Sequence, residues 1–160
     1  MQNENLPVNT SRPNLLRICV DAVHGHELSG RVYHCYSAAA MPFGDLWEMI
    51  RLCDAFFEQI GFPQQSTAYR SFFRPRRGAA APAVPPRVLT AEQLAQNRGS
   101  VATYFLEVET RNGATWQGRL YWQEQNRSYP FESVLEMGRL MDETAGALSA
   151  DDASPDGTPQ

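Results

Sequence analysis

The sequence predicts an α+β fold made of two tandem β-meander-plus-helix (βββα) repeats that pack as a pseudo-twofold-symmetric unit. The first observation is an internal repeat: at an offset of 88 residues, residues 30–54 match residues 118–142 at 10 of 25 positions. The second is a two-residue alternation of apolar side chains early in each copy, which is typical of strands. The third is a helical spacing of apolar residues later in each copy. Since a repeated unit needs a neighbour to cover its apolar face, the two copies are expected to pack together.

Each copy begins with a predicted hairpin. Leu16 to Ala22 and Leu28 to Tyr36 alternate in the first copy. In the second copy, Leu106 and Val108 are expected to share a buried face with Trp116, Gly118, Leu120 and Trp122. Three-residue loops with a left-handed glycine, Val23-His24-Gly25 and Arg111-Asn112-Gly113, would join the strands. These loops predict four opposed pairs: Val20 with Leu28, Ile18 with Gly30, Val108 with Trp116, and Leu106 with Gly118.

A short edge strand and a helix complete each copy. The strand ends in Pro42-Phe43 or Pro130-Phe131, and proline is tolerated at a sheet edge. Capping boxes at Asp45/Glu48 and Ser133/Glu136 predict where the helices begin. One apolar stripe, which includes Trp47 and Leu135, is assigned to the copy's own sheet. A second row, which contains Met49, Leu52 and Phe56 in the first copy, is assigned to the sister copy.

These elements predict five segments along the chain. They are a disordered lead (1–13), repeat 1 (14–62), a connector rich in proline, alanine and arginine (63–100), repeat 2 (101–148) and a disordered acidic tail (149–160). Within the connector, residues 67–73 form a candidate edge strand, and Thr90 to Leu94 predict a capped helical turn. The connector, with six arginines and one glutamate, is basic, whereas residues 142–160 carry five acidic side chains and no basic one.

Composition indicates a globular cytoplasmic protein. The chain has no apolar run long enough for a membrane span, which would need about 18 residues. It opens without a basic leader or an apolar stretch. Three cysteines, an odd number without close spacing, favour reduced thiols.

The residues that could carry chemistry do not form a recognised motif. His24, His26, His34, Cys19 and Cys35 lack the spacing of a zinc site, so neither a metal nor a cofactor is expected. No Gly-rich phosphate loop or nucleophile elbow is present in the sequence, so no catalytic residue is assigned and an enzyme is the third choice. The repeated Glu-x-x-Arg-x-x-Asp pattern from Glu48 to Asp54, and again from Glu136 to Asp142, is interpreted as helix capping plus surface ion pairs.

Two surfaces are candidates for binding. One is the sheet face turned away from the helices, where Arg31, Tyr33, Arg119 and Tyr121 have the character of a protein interface. The other is the connector, where arginines for phosphate alternate with rings for stacking, as in nucleic-acid binders. Its candidate contacts are Arg70, Phe72, Phe73, Arg74, Arg76 and Arg77.

The second copy also carries a sequence pattern seen elsewhere. Thr-Trp-Gln-Gly at 115–118, Trp122, and the Phe131 to Leu140 segment resemble short uncharacterised bacterial proteins of about one repeat in length. The resemblance points to no particular activity. If such single-repeat proteins form dimers, the chain resembles a fused pseudo-dimer with one diverged half, and a monomeric pseudo-dimer or a homodimer is expected. We therefore expect a non-enzymatic interaction module that binds a protein partner, for which an accessory role in a larger bacterial system would be one setting. A nucleic-acid-binding protein is the alternative.

Overall fold

The computed structural model describes residues 8–63, 85–112 and 115–152, with side chains up to residue 146. Within these residues the fold is α+β, as predicted, with one six-stranded antiparallel sheet and three helices. The finer prediction, that the halves are symmetric repeats, stays a prediction. In chain order the elements are β1 (Leu16–His24), β2 (Glu27–His34), β3 (Met41–Phe43), α1 (Leu46–Ile60), α2 (Ala91–Ala95), β4 (Ala102–Asn112), β5 (Thr115–Trp122), β6 (Arg127–Phe131) and α3 (Val134–Asp152).

The strands follow the order β3-β2-β1-β4-β5-β6 across the sheet. Each half therefore contributes three consecutive strands, and the halves join where β1 pairs with β4. That junction is antiparallel, runs from Leu16 opposite Leu106 to Val20 opposite Ala102, and turns the two meanders into one continuous sheet. Both outer strands contain a proline, Pro42 in β3 and Pro130 in β6. Proline at these positions removes a donor from the edge, which discourages further strand pairing.

The predicted hairpin registers are wrong by two residues in both halves. Val20 lies opposite Gly30, not Leu28, and Val108 lies opposite Gly118, not Trp116. Two differences combine in each half. The pairs next to the turn lie three residues from the predicted ones, and a one-residue bulge in each first strand, between Val20 and Ala22 and between Val108 and Thr110, reduces that shift to two. A bulge places an extra residue on one strand and shifts all pairs beyond it.

The turn of the first hairpin is also shorter than predicted. His24 pairs with Glu27, so only two residues connect the strands, and Gly25 takes the left-handed conformation with φ of 63°. In the second hairpin Asn112 pairs with Thr115. The left-handed glycine of the first turn was predicted correctly, whereas the loop length was not.

The two long helices begin at the predicted caps, but the glutamates act differently. The Asp45 carboxylate accepts from the Glu48 amide at 2.7 Å, and the Ser133 hydroxyl accepts from the Glu136 amide at 3.0 Å. The glutamates reach one residue further back than a capping box requires, to the amides of Gly44 and Glu132. The short helix α2 has the complete box at Thr90 and Gln93, which confirms the predicted capped turn. Helix α3 runs to Asp152, past the predicted end at residue 148.

Helices α1 and α3 cover one face of the sheet. The buried residues of α1 are Met49, Cys53, Phe56, Phe57 and Ile60. The stripe prediction is wrong at Trp47 and Leu135, whose exposed fractions are 67% and 79%. At about 100° per residue, Trp47 lies about 180° from Phe56 around the helix, so both cannot face the sheet. Cys53, Phe57 and Ile60 of the predicted stripe are buried as expected, and Met49 and Phe56 of the second row are buried beside them.

The opposite face of the sheet is not open. Residues 8–15 and 85–100, together with α2, lie across it and enclose a second apolar cluster. Leu94 of α2 is 1% exposed, and Val88 and Leu89 donate their amides to the carbonyl of Cys35. The cluster consists of Leu15, Cys19, Tyr33, Cys35, Leu94, Phe105 and Tyr121. In the part of the chain that the structure describes, no helix is both long and apolar enough to cross a membrane.

Candidate functional site: a groove between helices α1 and α3

The four residues predicted to bind a partner do not share an exposed patch. Tyr33 and Tyr121 are 8% and 5% exposed, because α2 and its flanking segments cover them. Arg31 donates to both oxygens of Asp21 at 2.9 and 3.2 Å and to the Arg98 carbonyl at 2.8 Å. The hydrogen bonds to Asp21 raise the pKa of Arg31. Arg119 is exposed. Partner binding through these four residues stays a prediction.

The centre of the covered face is held by a buried arginine. Arg17 lies 4.3 Å above the ring of Phe105 and donates to the carbonyls of Ala95 and Asn97, each at 3.0 Å. Burial lowers its pKa to about 10, and these carbonyls provide the acceptors that a buried guanidinium requires. Because Arg17 fixes the end of α2 against the sheet, the cover is part of the folded structure.

The remaining candidate residues do not assemble a reaction centre within the described segments. The residues proposed to contact nucleic acid, Arg70 to Arg77, lie outside the described residues. The described residues include no group of three or more His, Cys, Asp and Glu side chains placed to hold a metal ion. His34 is buried, and its Nδ1 accepts from the Tyr36 amide at 3.1 Å. Burial raises the pKa of the Cys19 thiol to about 11, which keeps it protonated at neutral pH.

A concave surface lies on the other side of the sheet, between α1 and α3. The helices approach each other closely where Leu46 rests on Gly138: a Cβ built on this glycine would lie 2.7 Å from a Leu46 methyl group. Beside this contact the helices leave a cleft of about 580 Å³. Its lining residues are Trp47, Ile50, Arg51, Asp54, Ala55, Thr115, Trp116, Ser133, Val134 and Leu135.

A second cleft of about 300 Å³ continues the first one toward the turn between β1 and β2. The two clefts share four lining residues, Trp47, Ile50, Val134 and Leu135. They therefore form one groove, referred to below as the α1/α3 groove. His26, Gly138, Arg139 and Asp142 line its second end.

Apolar side chains dominate the rim of the groove. Trp47 and Leu135, exposed by 67% and 79%, stand on opposite helices at positions 88 residues apart. Each is the second residue of its helix. A large apolar surface that stays exposed beside a cavity is typical of an interaction site. Sequence reasoning missed this role because it placed both residues in the core, although the helical-wheel angle between Trp47 and Phe56 already separates them.

The walls of the groove are fixed by the core. Trp116 is 1% exposed and meets Phe57 in an edge-to-face contact at 5.4 Å between ring centres. Behind them, Arg111 donates to Asp54 at 2.9 Å and to the Pro63 carbonyl at 2.9 Å. A groove with such walls is preformed, which lowers the entropy lost when a partner binds.

Three of the polar groups that line the groove have structural partners. The Ser133 hydroxyl caps α3, Asp54 accepts from Arg111, and Asp142 contacts His26 at 3.0 Å. Arg51 and Arg139 are exposed at the rim. Among the described residues that line the groove, none forms a nucleophile and base pair. A comparison of the chain with protein-family models, curated proteins and solved structures found no match.

Proposed function

We propose that the protein is a non-enzymatic interaction module that binds a protein partner through the α1/α3 groove. The observation that carries this proposal is the pair Trp47 and Leu135, exposed on both sides of a preformed apolar cleft of about 580 Å³. Tryptophan at the centre of a contact surface supplies a large binding contribution for little lost conformational freedom. Burial of both side chains by a partner would remove from water apolar surface that the fold itself leaves exposed.

We further propose that the chain is a pseudo-twofold pair of βββα units, so that the groove is the seam between two related helices. Both hairpins have a bulge one residue after the paired valine, at Asp21 and at Glu109, and these bulges lie 88 residues apart. Gly30 and Gly118 face the same obstacle, a carbonyl oxygen 1.9 Å from a built Cβ. The β1/β4 pairing places Arg17 opposite Phe105, and these two residues are also 88 residues apart. This arrangement supports a symmetric origin for the groove.

Affinity capture with the tagged chain in its native cell, analysed by mass spectrometry, tests the proposed function. Leu135→Asp places a charge in the groove at a residue that is 79% exposed, so folding should be preserved. We expect a protein that the unmodified chain retains and the variant loses. Val88→Asp is the matched control, since Val88 is 58% exposed and lies away from the groove. It should retain the partner.

A further variant separates the groove from the face predicted from the sequence. Arg119→Ala changes an exposed residue on that face and leaves the groove unchanged. Loss of the captured protein with Arg119→Ala, and its retention with Leu135→Asp, would overturn the assignment to the groove. Retention of the same proteins by all three variants would overturn it as well.

A further inference from the structure

We propose that the partner of the α1/α3 groove is a second copy of this chain, docked face to face about a twofold axis. In this dimer Trp47 of each copy enters the larger cleft of the other. The inference rests on the proposed function, because it names the occupant of the same groove. Three properties of the surface support a second copy as that occupant.

The first property is that the surface contains both a projection and a recess. The projection is the Trp47 indole, and the recess is the cleft that begins beside it and reaches Trp116. In a twofold interface each contact occurs twice, so one surface must present both complementary shapes.

The second property is the balance of charge at the rim. One end carries Arg51 and Asp54, and the other carries Arg139 and Asp142. A strongly acidic or strongly basic partner would meet like charge at both ends, which disfavours binding. A second copy brings both signs in equal number, so each end can meet opposite charge. Arg139 is available for such a contact, because its distance to Glu143 is 3.8 Å and both side chains are about two-thirds exposed.

The third property is the area. A buried tryptophan contributes roughly 150 to 250 Å², and a twofold interface buries two of them. Together with two copies of Leu135 and the half-buried Leu46 and Ile50, this core can approach the roughly 1,200 Å² of the smaller specific interfaces. The rim residues would complete the area. In this dimer the helices of both copies would lie between the two sheets, and the apolar surface along the groove would no longer be exposed.

The fluorescence of Trp47 can report this contact. Of its three tryptophans, Trp116 and Trp122 are 1% and 8% exposed, whereas Trp47 is 67% exposed. Acrylamide quenching of tryptophan fluorescence in the dilute protein should therefore report Trp47. As concentration rises, we expect the mass from sedimentation equilibrium to double. Over the same range the quenching slope should fall several-fold and the emission should shift to the blue.

Leu135→Asp tests the geometry, because it keeps all three tryptophans. We expect this variant to remain a monomer with a quenchable Trp47, whereas Val88→Asp should dimerise as the unmodified chain does. Circular dichroism checks that both variants are folded. A dimer that Leu135→Asp does not disturb, or one in which Trp47 stays quenchable, would overturn the proposal.

A chain that remains monomeric at its highest soluble concentration would also overturn it. Affinity capture then decides the fate of the proposed function separately. If a different protein is captured by the unmodified chain and lost with Leu135→Asp, the groove is an interaction site and only the second copy is excluded. If no captured protein depends on Leu135, the proposed function is overturned together with the dimer.

Discussion

Asp54 on α1 and Asp142 on α3 occupy positions 88 residues apart, and each contacts the hairpin of the opposite half. Asp54 accepts from Arg111 of β4, whereas Asp142 contacts His26 in the turn between β1 and β2. Both contacts therefore connect a helix to the hairpin beyond the β1/β4 junction. Their surroundings differ completely.

Arg111 is 1% exposed and joins three groups at once: Asp54, Glu58 at 3.0 Å and the Pro63 carbonyl at 2.9 Å. The His26 side chain is 92% exposed, and its contact with Asp142 is a surface pair. Surface pairs of this kind contribute about 0 to 1 kcal/mol. An acidic residue at equivalent positions can therefore mark a buried anchor in one half and a minor surface contact in the other. The geometry of the strands, by contrast, is closely alike in both halves.

The prediction with the largest expected effect tests whether the two hairpins are equivalent. Gly30→Ala and Gly118→Ala should each destabilise the fold by more than about 4 kcal/mol, and by similar amounts. In both positions the new Cβ would lie 1.9 Å from a backbone carbonyl oxygen, of Cys19 or of Glu107, so the neighbouring strand would have to move. Urea denaturation followed by circular dichroism measures the change in the free energy of unfolding.

Gly44→Ala is the matched control for both glycines. A Cβ at this position would lie 3.7 Å from the end of the Glu48 side chain, an ordinary contact. Its cost should be below about 1 kcal/mol. A large loss for Gly118→Ala with a small one for Gly30→Ala would break the equivalence of the two hairpins.

Some features of the fold could be predicted from the sequence, and others could not. The α+β class, the helix starts at Asp45 and Ser133, and the capped turn at Thr90 depend on local patterns, and all were predictable. The bulges at Asp21 and Glu109 were not, because a bulge changes the register without a required residue type. The β1/β4 pairing is a long-range contact between strands that alternate like any others, so no local pattern indicated it.

The groove was less predictable than the fold. The helical spacing identified Trp47 and Leu135 as apolar positions and assigned them to the sheet with the rest of their stripe, but it did not show that the first turn of each helix leaves them exposed. The cover over the opposite face depends on residues 85–100 folding back, and their composition predicted an extended connector. Tyr33 and Tyr121 were therefore expected at a surface that the chain itself covers.

The second prediction concerns the buried one of the two aspartate contacts. Arg111→Met should destabilise the fold by about 2 to 3 kcal/mol, because it removes hydrogen bonds to Asp54 and to the buried Pro63 carbonyl. The value lies at the lower end for a buried pair, since the Asp54 and Glu58 side chains are 43% and 58% exposed and can be hydrated. Thermal and urea denaturation measure the loss.

His26→Ala supplies the comparison for Arg111→Met. Its effect should stay within about 0.5 kcal/mol, since the side chain contributes little buried area and one exposed contact. Equal losses in the two variants would show that the hairpin contacts do not differ in the way their burial indicates. A loss confined to Arg111→Met would identify the end of α1 as the anchored one.

The smallest effect concerns His34, which stands 88 residues before Trp122. His34 stacks on Phe56 at 4.4 Å and accepts from the Tyr36 amide, and burial lowers its pKa. The folded state therefore disfavours the protonated ring. Stability should be full above the unfolded histidine pKa of about 6.5, fall as the pH drops below that value, and level off below the lower native pKa.

His34→Gln keeps an acceptor for the Tyr36 amide and removes the titration, so the variant should lose this part of the decline. The measurement is the free energy of unfolding at a series of pH values from about 8 to 5, with His24→Gln as the exposed control. If the free energy of unfolding changes with pH in the same way in the unmodified chain and in His34→Gln, protonation of the His34 imidazole does not destabilise the folded state. Because Trp122 cannot titrate, a difference between the profiles would locate this pH response in the first half alone.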